Sequence, residues 1–70
     1  MTWLETPESS NITRIRYLSE QSILEIEFKK GFVYQYFDVP ENVFEQLKSA
    51  SSKGQYFAAN IKGTYRYARA

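Results

Sequence analysis

Residues 23–29 alternate apolar and charged side chains without a slip: Leu24, Ile26 and Phe28 fall on one side, Glu25 and Glu27 on the other. A period of two marks a strand with one face in a core and one in water. Lys29-Lys30-Gly31 follows as a hairpin turn, Gly31 supplying the positive φ that short loops require. The chain returns through residues 32–37, where Phe32, Tyr34 and Tyr36 share one face and Val33, Gln35 and Phe37 the other. A strand apolar on both sides either lies mid-sheet with a cover on each face or shows one aromatic face to a partner. Upstream, residues 11–19 are β-prone, but their alternation slips once. Ile15 and Tyr17 fall on one face and Ile12 and Leu18 on the other, so the strand either carries a bulge or is partly covered on both sides.

The period changes after Asp38-Val39-Pro40. Pro40 suits the first turn of a helix, Glu41 and Glu45 sit near the positive end of its dipole, and Val43, Phe44, Leu47 and Ala50 recur at helical spacing. Gly54 reads as the left-handed stop of that helix. In residues 55–61, Phe57 and Ile61 share a helical face over a short second helix or turn, which Lys62-Gly63 breaks. Thr64 to Arg69 alternates again, Tyr65 and Tyr67 opposite Arg66, as a fourth strand or an ordered extension. Residues 1–9 show no sustained period and read as a loose arm, with Trp3 and Leu4 docking loosely on a single domain over residues 10–70. The expected fold is α+β: a small antiparallel sheet of three or four strands in meander order, packed by one main helix. Tyr34, Tyr36, Val39, Pro40, Phe44, Leu47, Gly54 and Phe57 form its structural centre.

Composition changes this picture in one respect. A 70-residue chain buries only about 60–65% of its unfolded surface, which argues against a deep pocket. Its six Tyr, five Phe and one Trp compensate by burying large areas per residue. With no cysteine, no charged head leading an apolar run, and no run near the roughly 20 apolar residues of a membrane span, a cytoplasmic protein off the membrane is expected.

Charge is balanced overall at +1 but uneven along the chain. Residues 53–70 hold Lys53, Lys62, Arg66 and Arg69 with no acid, a local +4, while residues 32–52 hold Asp38, Glu41 and Glu45 against Lys48, a local −2. A basic end of this kind meets an anion, or is simply solvated and paired with the helix acids.

With no His and no Cys, zinc-type sites and Cys or Ser-His nucleophiles are excluded. Glu25 and Glu27 are the ordinary solvent face of a strand, and Gly31, Gly54 and Gly63 are too scattered to cradle a phosphate. Neither an enzyme nor a cofactor is expected. Aromatic side chains on a sheet with cations nearby remain, the arrangement on which unpaired bases stack. The small size of the domain favours Tyr34 and Tyr36 as core residues rather than as that platform.

Ser10-Asn11-Ile12, Tyr34-Gln35-Tyr36, Val39-Pro40, Phe44, Leu47, Ala50, Ser52, Gly54, Tyr56-Phe57, Ile61 and Tyr65, in this order, resemble the KTSC domain, named for the C-terminus of some lysyl-tRNA synthetases. The resemblance covers roughly residues 9–69 and is similar to the stand-alone bacterial members of the family. Through that attachment it implies RNA as a partner. Two function classes follow. One is an RNA-contacting module using Lys62, Tyr65, Arg66, Tyr67 and Arg69 with help from Arg14 and Arg16, its affinity falling steeply with salt. The other is a protein-interaction adaptor that offers an uncovered sheet face or edge.

Overall fold

The computed structural model describes residues 3–6 and 9–70. The clean alternation of residues 23–29 appears as β3 (Ile23–Phe28), and the Gly31 turn (φ 95°) returns the chain as β4 (Val33–Tyr36), pairing Leu24 with Tyr36 and Ile26 with Tyr34 in antiparallel register. On the other side of β3 lies β2 (Ile12–Leu18). Its slip in alternation is a bulge: Ile12 faces Phe28 while Arg14 faces Glu27, so Thr13 is the extra residue. The bulge rotates Ile12 onto the same face as Ile15 and Tyr17, and all three are buried.

The strand count is higher than the alternation predicts. Leu4–Glu5, within the arm read as loose, forms an edge strand β1 on β2, and Tyr67–Arg69 forms the opposite edge, β5, on β4. The sheet therefore has 5 antiparallel strands in the order β1-β2-β3-β4-β5. Thr6 anchors the first edge: its N–H donates to the Thr13 carbonyl at 3.0 Å and its buried Oγ1 to the Ile12 carbonyl at 2.7 Å. The bulge thus exposes two carbonyls that the arm satisfies.

Between β4 and β5 the chain makes two helices, α1 (Glu41–Ser49) and α2 (Lys53–Asn60), which lie on one face of the sheet. Pro40 is the residue before α1, extended at ψ 151°, rather than inside its first turn. Val39, fully buried, fixes this entry: its N–H donates to the Ser22 carbonyl at 3.0 Å and its carbonyl accepts the Tyr17 hydroxyl at 2.6 Å. Gly54 is not the stop of α1. That helix ends at Ala50 in extended backbone, and Gly54 lies in the first turn of α2, which Ser52 caps by accepting the Gln55 N–H. The positive φ predicted for Gly54 occurs instead at Gly63 (φ 84°), just past α2.

Phe44 stacks on Tyr17, and Phe57 meets Phe28 and Tyr36 edge-on. Leu47, Ile61, Leu24 and Ile26 complete a core between helices and sheet. Of the expected structural centre, Tyr36, Val39, Phe44, Leu47 and Phe57 are buried, Tyr34 is half-buried and Pro40 is exposed. Among the described residues no helix is long and apolar enough to cross a membrane.

Candidate nucleic-acid interface

The sheet register sorts every candidate side chain onto one of two faces. Arg14 and Arg16 point away from the helices, opposite Glu27 and Glu25 on β3. Both are engaged there. Arg14 pairs with Glu27, while Arg16 Nε and the Gln35 side-chain amide both donate to the Glu25 carboxylate at 2.7 Å. Trp3 lies over this ladder with the two guanidinium carbons 4.5 and 4.3 Å from its ring centre. Glu25 is almost fully buried, so its charge is held by these donors rather than by water. The outer face is consequently a neutralised, self-satisfied layer, and its two arginines do not join the basic C-terminal end.

The inner face differs because α1 and α2 cover only part of it. β5 hydrogen-bonds to β4 beyond the reach of the helices, and its three residues are exposed. Tyr67 is 60% exposed; its ring stacks on Tyr34 at 5.6 Å between centroids and tilts against Tyr36. Arg69 is opposite Tyr34 in register, on the same face, and its guanidinium lies 4.1 Å over the ring centre of Phe32. Between α2 and the β3–β4 hairpin this leaves a groove of about 400 Å³. Phe28, Phe32, Tyr34, Tyr36 and Phe57 line it, with Asn11, Lys30 and Lys62 completing the lining. No carboxylate is among these residues.

The aromatic crowding has an electrostatic consequence. Burial of Tyr36, reinforced by the neighbouring Tyr67 and Tyr34 hydroxyls, pushes its phenol pKa up to about 12, so it stays neutral throughout the physiological range.

Of the seven predicted contact residues, Lys62 alone lines this groove; Tyr67 and Arg69 lie beside it, packed on its lining residues Tyr34, Tyr36 and Phe32. Tyr65 is half-buried against the core. Arg66 points to the other face of β5, where it bonds Asp38 at 2.8 Å and lies 5.6 Å from the Phe37 ring centre. Arg14 and Arg16 lie across the sheet. The contact prediction omitted Phe28, Phe32, Lys30 and Asn11. The signal for Phe28 was present in the alternation of residues 23–29, and that for Phe32 and Lys30 in the two-sided aromatic pattern of residues 32–37 beside a Lys-Lys-Gly turn. For Asn11 there was none, because only the bulged start of β2 brings it to the groove.

Comparison with known proteins adds an independent line. The model of the KTSC domain matches residues 8–65. A lysine–tRNA ligase of Trichormus variabilis is 51% identical over 61 residues, 87% of this chain and 11% of the ligase. The chain thus spans about a ninth of that relative's length. An uncharacterized protein of Stutzerimonas stutzeri is 41% identical over 63 residues, 89% of each chain. Among solved structures, that of a KTSC domain protein from Yersinia pestis superposes with a TM-score of 0.91 at 36% identity, covering 99% of this chain and 96% of the other.

Proposed function

The chain belongs to the KTSC domain family, and on that premise we propose that it is a small, non-catalytic binding module that contacts RNA through the groove between α2 and the β3–β4 hairpin. The observation that carries this reading is the pairing of an aromatic lining with Lys30 and Lys62 and no carboxylate, beside Arg69 on Phe32. Aromatic faces accept bases and the cations accept phosphates, the two demands of a polynucleotide. The presence of the same domain within proteins named lysine–tRNA ligases supports it. Lys30 and Lys62 line the interface, Tyr67 and Arg69 border it with half-buried Tyr65 nearby, and Arg66, Arg14 and Arg16, on the other face, take no part. A cytoplasmic setting belongs to the same reading.

Titration with a tRNA pool and with heparin at two salt concentrations tests it. Saturable tRNA binding that exceeds heparin binding and weakens with salt is the expected result. Equal binding of the two polymers leaves only generic electrostatics, and no binding at low salt removes RNA altogether. A second reading, a protein adaptor, draws on the exposed edge strand β5, which is open to strand addition. It would give salt-insensitive capture of a peptide and no response to tRNA.

A further inference from the structure

We infer that the groove is built for unpaired nucleotides: single-stranded RNA places a base against the aromatic lining, while base-paired RNA is held only weakly, through its phosphates. The inference rests on the RNA-contact reading above and specifies what that site takes.

Three observations point the same way. First, the apolar part of the groove is aromatic, its accessible rings being exposed Phe32 and half-buried Phe28 and Tyr34, with buried Tyr36 and Phe57 beneath them. A π-face is what a base recognises and what a phosphate backbone does not. Second, two stacking surfaces are held in place before any ligand arrives. Tyr67, 60% exposed, is braced from beneath by Tyr34 with ring planes 21° apart. The Arg69 guanidinium carbon lies 4.1 Å over the ring centre of Phe32, so the cation is already seated on an aromatic ring. Splayed bases stack on aromatic rings and on guanidinium planes alike. Third, the groove is open along one side, so a flat base can lie against its lining, whereas it does not enclose a helix.

The cations complete the assignment. Lys30 comes from the β3–β4 turn and Lys62 from the end of α2, so they reach the groove from two different elements and suit phosphates flanking an inserted base. A base inside a duplex is stacked on its neighbours and must be extruded at a cost before it can reach such a lining, whereas a loop or single strand offers it freely.

The experiment measures the anisotropy of a labelled short single-stranded RNA, of the same strand annealed to its complement as a blunt duplex, and of the single strand with abasic residues. The single strand is expected to bind at least tenfold tighter than either control, because stacking is worth roughly a factor of ten or more per base. Tyr67→Ala and Phe32→Ala, both at exposed rings, are each expected to weaken single-strand binding about tenfold and leave duplex binding unchanged, with Tyr67→Phe retaining single-strand binding. A fluorescent purine analogue in the wild-type complex gives a reading that needs no variant: stacking quenches it. Equal affinity for all three RNAs, with an unquenched analogue, overturns this inference and leaves a phosphate-contacting module standing. If none of the RNAs binds at low salt, both readings fall.

Discussion

Tyr36 lies where the covered and open parts of the sheet meet, its ring edge-on to Phe57 beneath α2 and tilted against exposed Tyr67 on β5. At 3% exposure it is a core residue, and removing its ring leaves a hole that neighbours on a five-stranded sheet cannot readily close. Tyr36→Ala is expected to cost about 3 kcal/mol in denaturant unfolding, as large-to-small core changes do. Tyr67→Ala, which loses one stacking partner in water, is expected to cost about 1 kcal/mol or less. The same burial sets a pH dependence. The Tyr36 phenol ionises near pH 12 in the folded chain and near 10 when unfolded. Its contribution to stability is therefore fully present below pH 10 and is lost as pH rises through about 12, since only the unfolded chain gives up this proton in between. Tyrosinate absorbance should show one phenol titrating late, and Tyr36→Phe should abolish that step and flatten the fall in stability over the same window. The aromatic alternation of residues 32–37 could not decide between core and platform, because periodicity gives a face but not what lies on it. The structure divides the rings by position: Tyr36 is core, Tyr34 is half-buried, and the exposed ring is Tyr67, one strand further out.

At the scale of the element, the sequence was most legible where the pattern was longest. Residues 23–29 carry an unbroken alternation that runs into a glycine turn, and with the strand after it they form the β3–β4 hairpin. The two edge strands were harder to read. β1 is two residues and β5 three, too short to hold a period, and both exist because a neighbouring strand presents an unpaired edge. The sequence permitted a bulge in β2 but could not require one, and Gly54 misled because a glycine after a helical stripe resembles a stop even when it opens the next helix. The outer face of β2 and β3 makes its own prediction. Glu25 keeps 7% of its side-chain surface exposed against 22% for Glu27, so the two ladder carboxylates depend unequally on their arginines. Arg16→Ala leaves a buried carboxylate held by the Gln35 amide and is expected to cost about 2 kcal/mol. That is below the loss for fully buried pairs, because Arg16 itself retains contact with water. Arg14→Ala, whose partner water can reach, is expected to cost less than half of that. Equal losses by thermal or denaturant unfolding would contradict the difference in burial.

Over the whole molecule, a charge of +1 conceals two chemically different faces. On the outer face Arg14 and Arg16 are matched by Glu27 and Glu25 and covered by Trp3, so a polyanion approaching there meets cations already neutralised. On the inner face Lys30, Lys62 and Arg69 surround an aromatic lining that holds no carboxylate. The basic run over residues 53–70 was visible in the sequence. Alternation already set Arg66 opposite Tyr67; which face of the sheet each side met was not visible until β5 had a fixed register against β4. If RNA contacts the inner face, about three phosphates are neutralised, and the logarithm of affinity for a single strand should fall against the logarithm of salt with a slope of about −2. Lys62→Gln is expected to reduce that slope by about 0.7 and weaken binding at every salt concentration. Arg14→Gln, a cation on the neutralised face, should leave slope and affinity at their wild-type values even though it removes the same formal charge. A salt titration of the two variants side by side separates a built interface from diffuse attraction to a basic protein. If net charge alone governed the contact, both substitutions would shift binding by the same amount.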